Sequence, residues 1–472
     1  MFPDAIVDLS LDVEGSRANA RLDVPEGSYT VLVRGKGTDP VTMRTNVFIA
    51  TACATNAIAS GETREVRLTL LPIVGMGVCG DDVLSPDEQC DDGNTADGDG
   101  CSASCRTERF QVNTTTDGVQ NHPAVAGGRG QRWSIAYDSV NTTFLFRTLA
   151  PDGSTITSPS VLAMDADIDD LLRDVALGSQ LLPDVAVASD GRVGIAFVDF
   201  NAGPNIRVGL FDAMRLPQNG GNSILVYNGS SGAPGGAPAV AFAGDGTLMV
   251  VYQDGSSATG LSGATFAPGV FTPAPFPIGA GLSGATAPAI AGTADGFVVA
   301  MSAGGDVHFQ RFGADGAARD AAAVVVSNAT GTQDQVAVGA LRSGEFLVAW
   351  RDELIDGSGS GIGARAFAAD GSPRQDPFQL NTDAAGAQSA PAVTAGESTF
   401  AVAFVGTSGI RGRYVSSGGA PLPNREAPPT TAELSLGAGA EVALASGGTD
   451  TRPVFMAVTE DGGEIYARFF PF

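Results

Sequence analysis

From about residue 108 onward, short apolar runs return every 48 to 60 residues, each followed by a turn rich in Gly and Asp. Every unit opens on a Pro-Ala-Val type sequence: Pro123-Ala124-Val125, Pro183-Asp184-Val185, Pro238-Ala239-Val240, Pro288-Ala289-Ile290, Val336-Ala337-Val338, Pro391-Ala392-Val393 and a degenerate Val442-Ala443-Leu444. Hairpin signals follow at Asp190-Gly191, Asp245-Gly246, Asp295-Gly296 and Ser343-Gly344, dipeptides that supply the left-handed backbone of a tight turn. A second run then ends on a large apolar residue, in a column that reads Tyr137, Phe197, Tyr252, Met301, Trp350, Phe404 and Val458. Third runs precede turns such as Asp315-Gly316 and Asp370-Gly371, and fourth runs resemble Phe378-Gln379-Leu380-Asn381. Four strands repeated at this period predict the blades of a β-propeller.

The two ends of this region supply a further constraint. The last unit stops after its third run, Ile465 to Phe470, while the first is preceded by an orphan, Phe110-Gln111-Val112-Asn113, that reads like the fourth run of another unit. Placing the orphan as the outer strand of the last blade closes a ring of seven with no unpaired edge. The predicted fold is all-β: a seven-bladed propeller over 108–472, preceded by a small β-sandwich over 1–74 and a disulfide-rich linker over 75–107.

In the N-terminal part, alternation predicts strands at Ile6–Leu11, Ala18–Val24, Tyr29–Arg34, Met43–Ile49 and Arg64–Leu70, since a half-buried strand has a period of two. A short helix is expected near Asp165–Leu172.

Residues 79–105 change character. Cys79-Gly80-Asp81-Asp82 is followed by Glu88-Gln89-Cys90-Asp91-Asp92-Gly93-Asn94, then by Asp97-Gly98-Asp99-Gly100-Cys101, and the stretch ends at Cys105. It is too short and polar to bury a core, so covalent or metal staples must hold it. Zinc sites use paired C-x2-4-C hooks, and only the last pair approaches one, which favours disulfides among Cys79, Cys90, Cys101 and Cys105. Four cysteines allow three pairings, and the spacing does not choose. Cys53 is the odd thiol. Asp81, Glu88, Asp91, Asp92, Asn94, Asp97 and Asp99 crowd oxygen ligands between turn-forming glycines, a donor set suited to a structural calcium ion. No Glu follows at EF-hand distance. The same residues would serve equally as turn and capping groups in a disulfide knot.

The 79–105 stretch resembles the cysteine-rich repeat of myxobacterial secreted proteins, with Asp82 where that pattern has Gly. The resemblance implies export and calcium, and no enzymatic activity. The unit Phe346-Leu347-Val348-Ala349-Trp350, with Asp356 to Ile362, Arg365-Ala366-Phe367 and Asp370-Gly371, is similar to a repeat common in large secreted bacterial proteins. Neither family fixes a ligand.

Composition narrows the function. The chain has 472 residues, with 27 basic against 52 acidic residues, a net charge of −25. That excludes the cationic footprint of a nucleic-acid binder and disfavours anionic lipid surfaces. The single lysine is Lys36, and the two histidines are His122 and His308, so no triad forms without one of them. His122 is placed to reach a rim, and His308 reads as a structural strand residue. No apolar run is long enough to span a bilayer. The start Met1-Phe2-Pro3-Asp4 is not a signal peptide, and the cysteines place the protein in an oxidising, extracytoplasmic compartment, so the export signal is expected upstream.

Acid-rich loops at Asp165–Asp174, Asp199–Pro204, Asp254–Gly260 and Asp352–Gly361 are the candidate functional loops. The leading expectation is a monomeric, non-catalytic binding or scaffold protein whose propeller face meets an extracellular protein or polysaccharide. A propeller glycosidase or lyase using loop carboxylates, for example Asp352 with Glu353 or Asp169 with Asp170, is the alternative. A purely structural module of a larger surface protein is the third.

Overall fold

A computed structural model describes residues 27–37, 47–58, 71–72, 95, 97 and 101–471 apart from 115, 129, 140–142, 151–165, 174–179, 201–202, 230–235, 424–431 and 449–452. The chain divides into two compact units, Met1–Gly93 and Asn94–Phe472.

In the first unit, strands Gly27–Gly37, Val47–Ile58 and Leu71–Pro72 form one antiparallel sheet in that order. The predicted strand at Tyr29–Arg34 is present. The predicted Met43–Ile49 strand is present from Val47, its earlier residues lying outside the described ones, and it runs on to Ile58, with Cys53 opposite Leu32. The predicted strands Ile6–Leu11, Ala18–Val24 and Arg64–Leu70 lie outside the described residues, as do Cys79, Asp81, Glu88, Cys90, Asp91, Asp92, Asn94 and Asp99.

The second unit is a seven-bladed propeller built from seven four-stranded antiparallel sheets. Their innermost strands are Gln120–Ala126, Gln180–Val187, Ala239–Phe242, Thr286–Gly292, Gln333–Ala340, Ser389–Ala395 and Glu441–Gly448, so each predicted opening falls in or beside one. The orphan strand, Arg109–Gln111, pairs with Glu464–Pro471 through Phe110 opposite Ala467 and closes the ring. The resemblance between the two Phe-Gln-x-Asn runs has a cause: Asn113 Oδ1 accepts from Ile465 N at 2.8 Å, and Asn381 Oδ1 accepts from Ile362 N at 2.9 Å. Each also donates to the Gln opening the next blade, Gln120 or Gln388.

The core lies between blades, because each sheet buries both faces against its neighbours. Phe309 of blade 4 packs edge-on against Phe346 and Phe367 of blade 5, with centroids 4.9 Å apart in both pairs. Trp350 is fully buried and lies over Gly363, where an added Cβ would come within 2.4 Å of the indole, so this blade requires glycine there. Tyr137, Phe197, Tyr252, Met301, Trp350 and Phe404 fill equivalent positions toward the preceding blade. The seventh member of the column is Thr459, not Val458. Ala443 pairs with Val458, as Ala392 pairs with Ala403, so Val458 faces blade 1 and Thr459 follows it into the column.

Two polar devices tie blade to blade. Arg147, Arg365, Arg413 and Arg468 lie in the third strands of blades 1, 5, 6 and 7, and each donates through Nη1 to a main-chain carbonyl at the outer edge of the preceding blade, respectively Val112, Val326, Leu380 and Ser435. Second, His122, Leu182, Ala287, Gln335 and Ala390 have positive φ just ahead of the inner-strand motif, where register shifts mark β-bulges. Left-handed backbone is costly for side-chain-bearing residues, and neighbouring blades hold several of these bulges in place. Leu182 N donates to Asp138 Oδ1 at 2.9 Å, Ala390 N to Gln335 Oε1 at 2.8 Å, and His122 N to Glu441 Oε2 at 2.6 Å.

Candidate functional site

In an antiparallel blade, the start of the inner strand, the connection between second and third strands, and the end of the outer strand share one face. The described residues of all four acid-rich loops nominated from sequence fall on this entry face. The structure shows what occupies their carboxylates. Asp199 Oδ2 accepts from Arg207 Nε at 2.7 Å. Asp254 accepts from Ser256 and Ser262; burial alone would raise its pKa, but these bonds outweigh it and hold the carboxyl below the usual range. Asp352, 2% exposed, accepts from Trp350 Nε1 at 3.2 Å and Leu354 N at 3.1 Å. Glu353 accepts from Thr332 N, and Asp356 from Ser358 N and Asn381 Nδ2. These acids shape the loops. Asp169 and Asp170 fall in the single helical turn Ile168–Leu171, whose Ile168 and Leu171, with Leu172, pack into the core between blades 1 and 2.

His122, near the start of the inner strand of blade 1, sits at the seam where blade 7 meets blade 1. Its Nδ1 lies 2.8 Å from Asp138 Oδ2 and its Nε2 3.6 Å from Glu441 Oε1. The hydrogen bond with Asp138, opposed by burial and aided by Glu441, raises its pKa. Burial raises that of Asp138 despite the histidine. Asp184, on the next inner strand, is pushed up to about 6 by burial while accepting from Val185 N and Val240 N. His308 sits in the strand Asp306–Gly313, 7% exposed, with its pKa lowered by burial. It is a core histidine.

A small cleft opens at the junction of blades 5 and 6, lined among others by Asp383, Gln388, Phe404, Thr407, Arg411 and Glu433. Glu433 Oε1 accepts from Thr382 N, Thr382 Oγ1 and Asp383 N. Arg411 donates to Ser408 Oγ at 2.5 Å. Apart from Phe404, a member of the core column, none of these residues was singled out from sequence. Their one signal is the Ile-Arg pair shared by Ile206-Arg207 and Ile410-Arg411.

Of the linker residues, Asp97 is exposed and accepts from Ala103 N at 2.9 Å. Cys101 and Cys105 are buried and disulfide-bonded. Among the described residues no cluster of His, Cys, Asp or Glu has metal-binding geometry, and no helix is long and apolar enough to cross a membrane.

No family model and no curated protein matches the chain. Solved structures similar to it include a protein of unknown function from Dyadobacter fermentans (14% identity, TM-score 0.40, 66% of this chain and 95% of that one). The WD40 domain of coronin from Toxoplasma gondii is 10% identical with a TM-score of 0.45, covering 77% and 84%. A GH43 endo-arabinanase from Bacillus licheniformis is 17% identical with a TM-score of 0.30, covering 55% and 99%. Likeness this distant, across such different proteins, says nothing of a ligand.

Proposed function

We propose that the chain is an extracytoplasmic, non-catalytic binding protein whose propeller engages a protein or polysaccharide partner through the entry face. The carrying observation is the use of Asp199, Asp254, Asp352, Glu353 and Asp356 as internal acceptors. A glycosidase needs two carboxyls flanking one bond, one of them held protonated near neutral pH. Here Asp199, Asp254, Asp352, Glu353 and Asp356 hold backbone and side-chain donors within the fold. The segment 75–107 serves in this reading as a disulfide-stapled joint, with structural calcium held by the oxygens of Asp81, Glu88, Asp91, Asp92, Asn94, Asp97 and Asp99. Disulfide-bonded Cys101 and Cys105 support the oxidising compartment that joint requires.

The test is to incubate the whole chain with a panel of insoluble polysaccharides, measuring co-sedimentation and release of reducing ends together. Retention without release is expected. Reducing ends that disappear in Asp352→Asn would replace this reading with the hydrolase. For the joint, chelator should lower the melting temperature of the oxidised protein, because a ligand bound only to the native state stabilises it. An unchanged midpoint removes calcium from the assignment.

A further inference from the structure

Two Asn-Gly pairs occur in the chain, Asn219-Gly220 and Asn228-Gly229, and they flank the outer strand of blade 2, Ile224–Tyr227. Such pairs are open to self-attack, because glycine has no side chain to screen its amide nitrogen from the neighbouring carboxamide. The fold treats the two differently. Gly229 is buried, its nitrogen donates to Asn205 Oδ1 at 3.1 Å, and an added Cβ would collide with the Pro204 carbonyl. Gly220 is exposed, and among the described residues its nitrogen donates to nothing. No heavy atom stands within 4 Å of where its Cβ would lie. The Asn219 carboxamide has one long bond, Nδ2 donating to Asn222 O at 3.4 Å. Asn219 and Gly220, with φ of 51° and 68°, form the apex of a turn closed by Gly221 N donating to Gln218 O at 2.9 Å.

We propose that Asn219 is a site of spontaneous deamidation in the folded protein, with water as the only co-reactant, and that Asn228 is protected. The Gly220 nitrogen gives its proton to solvent and attacks Asn219 Cγ. The Cγ–Nδ2 bond breaks, and Nδ2 takes a proton from solvent and leaves as ammonia. Water then opens the five-membered imide at either of its carbonyls. Opening at Cγ gives aspartate, and opening at the main-chain carbon gives isoaspartate, which carries the chain through Cγ. Nothing is oxidised or reduced, and the chain gains one negative charge. The aspartate product keeps the turn, since Asp tolerates left-handed backbone as Asn does. Isoaspartate puts its extra methylene into a turn with open space around it. At Asn228 the same attack requires the Gly229 nitrogen first to leave Asn205. The site is independent of the binding function proposed above.

The experiment incubates the whole chain at mildly alkaline pH in water enriched in heavy oxygen, once folded and once in urea. Chymotryptic cleavage after Leu225 and Tyr227 separates the two asparagines, and mass spectrometry follows each. In the folded chain Asn219 should convert about tenfold or more faster than Asn228, the ratio that one withheld buried hydrogen bond sets. Its product should carry one heavy oxygen, taken up when the imide opens. In urea the two rates should converge, because both asparagines then precede an unhindered glycine. Equal rates in the folded chain, or an Asn219 that converts only in urea, overturns the inference. A ratio that persists unchanged in urea overturns it too, because the preference would then belong to the local sequence and not to the fold.

Discussion

Blade 2 and blade 6 share backbone, register and an arginine, yet one closes on itself and the other opens. The difference is one side chain at the end of the second strand: Asp199 buries its charge against Arg207, with side chains 5% and 19% exposed, while Gly406 leaves Arg411 to solvent and Ser408. The junctions behind them are sealed differently as well. Blade 6 uses the Arg413 clamp onto the carbonyl of Leu380. Blade 2 has Gly209 at that position, and a Cβ there would stand 3.1 Å from Leu172 at the end of the short helix. A repeat protein can therefore change a side chain's surroundings by omission: the frame supplies the arginine, and dropping its internal partner leaves it half-exposed.

The most severe way to break this contrast is Asp199→Ala. It strands a buried guanidinium, and removing one partner of a buried pair costs about 3–5 kcal/mol. Urea unfolding should show that loss. A cost below about 1 kcal/mol would mean the pair in blade 2 holds nothing together, and its equivalence with blade 6 would lose its force.

Next is Arg413→Met, which keeps the stem and removes the clamp. Leaving the Leu380 carbonyl without its donor should cost about 1–3 kcal/mol. The arginine at the blade 5–6 cleft, Arg411→Gln, should cost far less, because it is partly exposed and among the described residues has no ion pair to lose. Surface changes of that kind stay within about 0.5 kcal/mol. If the two variants are equally destabilised, Arg411 is a structural residue like its neighbour.

The blades were legible in sequence because their signals are local. Pro-Ala-Val openings, Asp-Gly turns and a large residue ending the second strand recur at a fixed period, and the orphan strand at Phe110 declared its partner by likeness. The slip at Val458 shows the limit: without an aromatic side chain, a one-residue shift in register is invisible until the pairing of Ala443 is seen. The cleft was hidden for a similar reason. Asp199 precedes Arg207 by a long connection and Gly406 precedes Arg411 by a tight turn, so equivalent residues sit at unequal spacing. Acid-rich loops drew attention instead, and three of their carboxylates, Asp199, Asp254 and Asp352, are buried on internal donors. An absent side chain is a signal only against a sibling that has it.

Gly406→Asp sharpens the contrast at smaller cost. The position accepts a Cβ without close contact, and a half-exposed new ion pair with Arg411 gains about 0–1 kcal/mol. The melting temperature should hold or rise slightly. A marked fall would show that the turn at Thr407-Ser408 needs glycine for its backbone, and that blade 6 did not simply lose an acid.

The smallest effect belongs to a third arrangement, intermediate between the two. At the ring closure His122 pairs with Asp138, 4% exposed, and lies near Glu441, so this acid-base pair resembles that of blade 2 with a base that titrates near neutrality. The raised pKa of His122 owes most to its bond with Asp138. A base whose folded pKa lies above its unfolded value contributes stability that is fully present below about 6.5 and is lost as pH rises through the folded pKa. Burial raises Asp138 as well, which also favours the acid side. Because the imidazole is 44% exposed, solvent screening limits the effect to no more than about 1 kcal/mol. Unfolding midpoints should fall slightly between pH 6 and 8, and His122→Gln should flatten that part of the profile. Asp199→Ala should leave the slope intact, since a guanidinium does not titrate there. A slope that persists in His122→Gln would place the titrating group elsewhere and reduce the seam to packing alone.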